Sequence, residues 1–401
     1  MTSKTVYYLD AGIVNNVGHN LETVEFLKKY LGQHADCTVV AGKKFAGSVD
    51  GIRVLPLLRY GSPHWSMPSR KMRYLMGLRR RLRLPFIDHV VPLIKVREMK
   101  QELSTLSFPK NAQIIINSVE LDDAYMQCEA LWSLEPTLNI KVILHYSPFD
   151  AHSVIVRPKL KRALKGISKL SPQDNRITFY ADTDKLCQVY AALLQRPVTL
   201  LPIPHAKRGG NTPRDNPSSP YRVVYFGTYS EAKAPHLIPE IIRLIHKDVA
   251  LDWSVYITYI TKNPIIDSFE RELRTLETKT GKSIYHTGPF STQHIEDIFD
   301  QSDIFLVPYH SHDYELQSSG VVMEALVSGK VPLVSRSMAD AALLARIDPH
   351  LVFRPNNEMD IADNLEYIAK NYSEIRAKLR PLQQQMEAFH NPETFIKILL
   401  A

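Results

Sequence analysis

Short apolar runs alternate with amphipathic stretches along the whole chain. The runs Thr5–Leu9, Cys37–Ala41, Gln113–Asn117, Lys141–Tyr146, Ile177–Ala181 and Val198–Pro202 are rich in β-branched and aromatic residues and read as strands. Between them, segments such as Leu21–Leu31 and Asp184–Leu194 space their apolar residues three and four apart, as helices do. Continuous apolar strands separated by helices predict a parallel sheet covered on both faces, an open α/β arrangement. Residues Ala206–Tyr221 interrupt the rhythm with three Pro, two Gly, two Ser and two Asn and no hydrophobic period, the composition of an interdomain linker.

After that segment the rhythm restarts, with strands expected at Val223–Phe226, Trp253–Ile257, Ser283–His286, Ile304–Pro308 and Val331–Ser335. The stretch Asn364–Leu400 reads as helical, with breaks at Pro381 and Pro392. The pattern therefore predicts a Rossmann-like domain over 1–205, a linker over 206–221, a second Rossmann-like domain over 222–380, and a terminal helix over 381–401 that packs back on the first domain. Two such domains facing across a cleft would place ligands at the carboxyl ends of their strands.

Composition narrows the class. At 401 residues the chain is too long for one ordinary core and suits two domains of roughly 200 residues. Hydrophobic residues at 44% and charged residues at 23% exclude wholesale disorder and a long coiled coil. No run approaches the roughly 18 apolar residues of a membrane span, and the start lacks a signal-peptide profile, so a cytosolic protein is expected. Cys37, Cys128 and Cys187 lie far apart with no CxxC pair, which indicates neither a disulfide frame nor a zinc site.

Charge adds one local feature. The chain holds 49 Lys and Arg against 42 Asp and Glu, and Arg70–Arg83 alone contributes seven basic residues and no acid, so the rest of the chain is balanced. Met72, Tyr74, Leu75, Met76, Leu78 and Leu82 interleave with these cations, the pattern of a basic amphipathic helix on an anionic membrane face, or of a solvated helix face with snorkelling arginine stems. No RNP, KH or zinc-finger pattern is present, and no nucleic-acid partner is expected.

The stretch Asp303–Ser335 carries the most chemistry. It reads as a strand, a polar loop, a helix opening near Ser318-Ser319-Gly320, and Gly329 as its cap before another strand. The N–H groups of Gly320, Val321 and Val322, with the positive end of the helix dipole and the Ser318 and Ser319 hydroxyls, suit a phosphate or diphosphate. Glu324, about one turn in, suits ribose hydroxyls. A capped helix with a dipole-friendly glutamate has the same pattern.

The segment SSGVVMEALVSGKVPLVS resembles the donor-binding signature of GT-B glycosyltransferases, specifically the family 4-like enzymes. The resemblance implies a helix start that binds the donor diphosphate, and it makes Glu324 the second glutamate of the E-x7-E motif. The first falls on Leu316, with Glu315 and Gln317 on either side. A second match, RVVYFGTYSEAKAPHLIPEII, is similar to the family's strand ending in glycine, arginine and a later lysine; Gly227 and Lys233 fit, and Thr228, followed by Tyr229, stands in the arginine's place. Relatives commonly carry an acid where Ala232 stands, and Glu231 is the neighbouring carboxylate available to act beside the reacting sugar.

His145, in VILHYSPFDAHSV, resembles the family's strand-end histidine that faces the donor sugar, and Asn16-Val17-Gly18-His19 resembles its acceptor-side loop. Tyr309, His310, His312, Asp313 and Tyr314 crowd the loop before the helix and suit sugar contact or a polar surface. What the resemblance implies is a retaining transferase without catalytic metal or other cofactor, peripheral on the inner membrane face, moving sugar from a nucleotide-activated donor to a glycan or lipid-linked glycan. Lipopolysaccharide, O-antigen or capsule assembly is the expected setting. The donor could be an NDP-sugar or, given the lost arginine, CMP-Kdo. A nucleotide-sugar 2-epimerase of the same fold and a non-catalytic glycan- or nucleotide-binding subunit remain the rival readings.

Overall fold

The computed structural model describes residues 4–14, 19–61, 68–82, 87–149, 158–170, 176–204, 220–245, 249, 251–258, 264–310 and 312–401. It divides into two compact units, Met1–Leu201 with Ile396–Ala401, and Pro202–Phe395.

In the first unit the strands are β1 (Lys4–Asp10), β2 (Ala35–Gly42), β3 (Arg53–Leu58), β4 (Gln113–Val119), β5 (Asn139–Leu144), β6 (Ile177–Ala181) and β7 (Val198–Leu200). They form one parallel sheet in the order β3-β2-β1-β4-β5-β6-β7. Its helices are α1 (His19–Phe26), α2 (Arg70–Leu82), α3 (Ile87–Leu103), α4 (Leu121–Trp132), α5 (Pro158–Leu170) and α6 (Asp184–Leu194). Strand residues such as Val6, Val39, Ile114, Ile116, Ile140 and Val142 are fully buried, as burial on both faces requires.

The second unit repeats the plan. Strands β8 (Tyr221–Thr228), β9 (Leu251–Thr258), β10 (Tyr285–Thr287), β11 (Ile304–Val307), β12 (Val331–Ser335) and β13 (Val352–Phe353) are parallel in the order β10-β9-β8-β11-β12-β13. Around them lie α7 (Ile238–Leu244), α8 (Pro264–Thr280), α9 (Thr292–Gln301), α10 (Gly320–Val327), α11 (Ala341–Ile347), α12 (Glu358–Lys370), α13 (Tyr372–Phe389) and α14 (Pro392–Leu400). In both sheets the chain reverses direction next to its first strand, between β1 and β4 and between β8 and β11. Outside the carboxyl ends at such a switch point, diverging loops leave a crevice.

Several boundaries differ from the pattern's expectations. Strand β8 opens at Tyr221, inside the expected linker, because that ring stacks on Tyr372 at 4.4 Å; most of the linker lies outside the described residues. Strand β5 ends at Leu144, leaving His145 just beyond the sheet. Pro381 does not break α13, since buried Ile375, Leu379 and Leu382 hold the helix in place on both sides of it. The last turns of α14 belong to the first unit, where Gln113 Nε2 donates to the Leu399 carbonyl at 2.8 Å and the Lys141 ammonium donates to the same oxygen.

The basic run forms α2, with Arg83 outside the described residues. Ser69 caps it by accepting the Met72 N–H at 3.1 Å, and donates to Glu98 of α3 at 2.7 Å, which in turn accepts from the Tyr60 hydroxyl. Met72 is buried, whereas Tyr74, Met76 and Leu82 are 67%, 48% and 59% exposed.

Helix α5 packs on α4 through Gly166, where a Cβ would lie 2.2 Å from the Tyr125 ring. Glycine inside a helix is unfavourable by about 1 kcal/mol, so this contact outweighs propensity. Gly166→Val should destabilise the first unit by about 1–3 kcal/mol through overpacking, read as a lower midpoint in thermal or urea unfolding.

Candidate active site

The switch point of the second sheet brings together β8 and β11. One residue before the end of β8 stands Gly227, where a Cβ would meet both Lys233 Nζ and Tyr309 Oη at 3.5 Å, so glycine leaves open the floor between a cation and a hydroxyl. Lys233 is carried on a 3-10 turn, Glu231–Lys233, closed by Ala234 in the left-handed region at φ 46°. That turn is tied to the loop after β11 by the His310 N–H, which donates to the Ala232 carbonyl at 3.0 Å. Ala232 thus works here through its backbone.

Lys233 lies over the Tyr309 ring, 5.3 Å from its centroid. Burial alone pushes its ammonium below the usual lysine range, and no carboxylate among the described residues pairs with it. The Tyr309 hydroxyl, buried and pushed far above the usual phenol range by desolvation, shares a hydrogen bond with Ser319. Ser319 is the N-cap residue of α10, yet its side chain makes no capping bond. The first turn of α10 at Gly320 and Val321 therefore keeps its N–H groups uncapped by side chains. Buried Ser318 Oγ and His310 Nδ1 also lack partners among the described residues. Glu324 stands partly exposed within this helix.

The remaining sequence candidates in this unit have contacts or exposure of their own. Thr228 bonds Thr258 hydroxyl to hydroxyl at 3.1 Å and fastens the ends of β8 and β9. Tyr229 packs edge-on against Phe269 of α8 at 5.5 Å. Glu231 is exposed, two residues from Lys233. Tyr309 is the residue that sequence reading placed only in a crowded loop; it contacts both Lys233 and Ser319.

In the first unit, four neighbouring strand ends carry a polar chain. Asp10 accepts the Gly12 N–H at 2.8 Å and the Asn117 amide at 2.8 Å. Asn117 Oδ1 lies 3.0 Å from His145 Nε2, and His145 Nδ1 lies 3.4 Å from Asp182 Oδ2. Both ring nitrogens of His145 are thereby engaged with this unit's own side chains. Gly18 lies outside the described residues, and His19 is placed only as the first residue of α1. Among the described residues no group of three His, Cys, Asp or Glu is placed to hold a metal ion.

Residues 220–371, which contain β8, the Lys233 turn and α10, match the family model described as Glycosyl transferases group 1. This part of the second unit is similar to the glycosyl transferases of group 1. By class the chain is a glycosyltransferase, and among curated proteins none matches its sequence. Solved structures resemble it end to end. The Anabaena HepE complex with UDP and glucose aligns with a TM-score of 0.63 at 12% identity, covering 99% of this chain and 98% of that one. Sucrose-phosphate synthase from Thermosynechococcus elongatus gives 0.62 at 11% identity (99% and 96% covered), and a Rickettsia africae glycosyltransferase gives 0.61 at 13% (100% and 97% covered). At this identity the likeness establishes the fold, two-domain α/β of GT-B type.

A lysine desolvated without a counter-ion is poised for an anion. Its folded form surrenders the proton at lower pH than the unfolded chain, so anion affinity is full below the folded value and declines as pH rises through it, while apo stability improves. Lys233→Met should leave the thermal midpoint unchanged or higher but weaken nucleoside diphosphate binding by about tenfold or more, since a charge-assisted bond is worth about 1.5–3 kcal/mol. Calorimetry beside thermal melts reads both.

Proposed function

We propose that the enzyme transfers a sugar from a nucleotide-activated donor, held by the second unit, to a glycan or lipid-linked glycan. The observation that carries this reading is the set Gly227, Lys233, Tyr309 and Ser319 beside the uncapped start of α10: one unpaired cation and a helix N-terminus face a floor kept open by glycine. On departure, negative charge gathers on the donor phosphate, and Lys233 and the α10 N–H groups are the groups placed to stabilise it. Glu324 would accept from ribose hydroxyls. Retention of configuration is implied by the family 4-like resemblance. Solved structures of HepE with UDP and with UDP-glucose support a nucleoside diphosphate sugar as donor over CMP-Kdo.

Docking on an anionic membrane from the cytoplasmic side fits the first unit. Its 29 Lys and Arg face 17 Asp and Glu, whereas the second unit has 20 against 25. Helix α2 presents Tyr74, Met76 and Leu82 among arginines, and α5 adds five basic residues without an acid. No described helix is long and apolar enough to cross a membrane. This surface supports an acceptor carried on lipid, as in lipopolysaccharide, O-antigen or capsule assembly.

Two measurements test the reading. In a panel of UDP, GDP, dTDP, ADP and CMP, one nucleoside diphosphate should bind selectively, with Glu324→Ala and Lys233→Met each weakening it; CMP binding alone would move the donor to the monophosphate class, and no binding at all would remove the transferase reading. Co-sedimentation should show retention on vesicles containing phosphatidylglycerol but not on phosphatidylcholine alone. Substituting Arg73, Arg79 and Arg81 by Glu should abolish that retention, at about 1 kcal/mol per charge, without changing nucleotide affinity.

A further inference from the structure

The polar chain at the strand ends of the first unit has a direction, and the direction fixes where its protons sit. Asp10 accepts at both oxygens, from the Gly12 N–H and from Asn117 Nδ2. The Asn117 amide must therefore turn its NH2 group toward Asp10, since the flipped amide would set oxygen against carboxylate. That orientation presents Asn117 Oδ1, an acceptor, to His145 Nε2 at 3.0 Å, so Nε2 carries a hydrogen. A neutral imidazole has only one. Its Nδ1 would then aim a bare lone pair at Asp182 Oδ2, 3.4 Å away, with the Asp182 side chain only 5% exposed and its other oxygen buried without a partner among the described residues. The His145 side chain is 27% exposed, but the carboxylate it faces is not, and two facing acceptors leave that buried carboxylate unsatisfied.

We propose that Asp182 is a positioning residue for His145 and that the Nδ1···Oδ2 contact holds one proton, making the pair neutral as a whole. The proton sits on the imidazole or on the carboxyl; either assignment completes the chain Asp10, Asn117, His145, Asp182 across β1, β4, β5 and β6. The strand ends nearby are acidic: burial first, then the charges of Asp10 and Glu120, push the phenol of Tyr146, the residue after His145, up to about 12. Tyr8 of β1 hydrogen-bonds Asn117 from the remaining side. The ring is thus clamped at both nitrogens, and a ligand at this sheet edge meets its carbon edge, beside one carboxylate charge fewer than the sequence suggests.

The test is spectroscopic and independent of any transfer activity, so it stands or falls apart from the functional reading above. The full chain labelled with 15N-histidine and 13C-aspartate is observed near neutral pH, with the His145 signals assigned by their loss in His145→Gln. Expected are a protonated Nε2 together with either a protonated Nδ1 or a protonated Asp182 carboxyl. In Asp182→Asn the new amide can donate to Nδ1, so the Nδ1 proton should disappear while Nε2–H persists. A bare Nδ1 beside an ionised Asp182 carboxylate in the unaltered protein overturns the proposal, as does a bare Nε2. The decision is read in the unaltered protein once His145 is assigned, so a poorly folding Asp182→Asn does not blunt the test.

Discussion

Burial of parallel strands on both faces is the constraint on which the rest of this molecule depends. Such strands are apolar along most of their length, and polar chemistry gathers toward the ends where they leave the sheet. Both units obey it. Asp10, Asn117, His145 and Asp182 stand at four successive strand ends in one sheet, and Gly227 and Tyr309 stand at two adjacent ends in the other. In each case the strands flanking the switch point contribute, because there the connecting loops part in opposite directions.

The second unit departs from local stability rules in the same small region. Alanine takes a left-handed conformation at position 234, a lysine is desolvated without a counter-ion, and an N-cap serine gives its hydroxyl to a tyrosine. The left-handed alanine and the cap hydroxyl spent elsewhere each cost on the order of 1 kcal/mol. These departures gather in one place, against a core as regular as that around β8, β11 and β12, and that clustering is what the donor-site reading rests on.

Much of this was legible in the residues. The alternation of apolar runs and amphipathic segments carried both sheets, and SSGVVME together with YFGTYSEAK located the helix start and the lysine turn. The short strand β13, and the continuity of α13 through Pro381, were not legible, because tertiary burial rather than local sequence holds them. Asp182 carried a signal that went unread: YYLD, IIIN, VILH and FYAD each end an apolar run in one polar side chain. What the string could not supply was that these four runs lie side by side. Tyr309 was hidden for a related reason, since only its orientation toward Lys233 separates it from its polar neighbours.

The path of the chain carries one more consequence. The first unit closes with Ile396–Ala401, where the Leu399 carbonyl receives Gln113 and Lys141. The second unit is therefore an insertion within the first, entered at 202 and left at 395. During synthesis the buried Gln113 amide has to wait for its acceptor until the whole inserted unit has emerged from the ribosome. The first unit can close its sheet early, yet its last hydrogen bonds are made only after the second unit is complete.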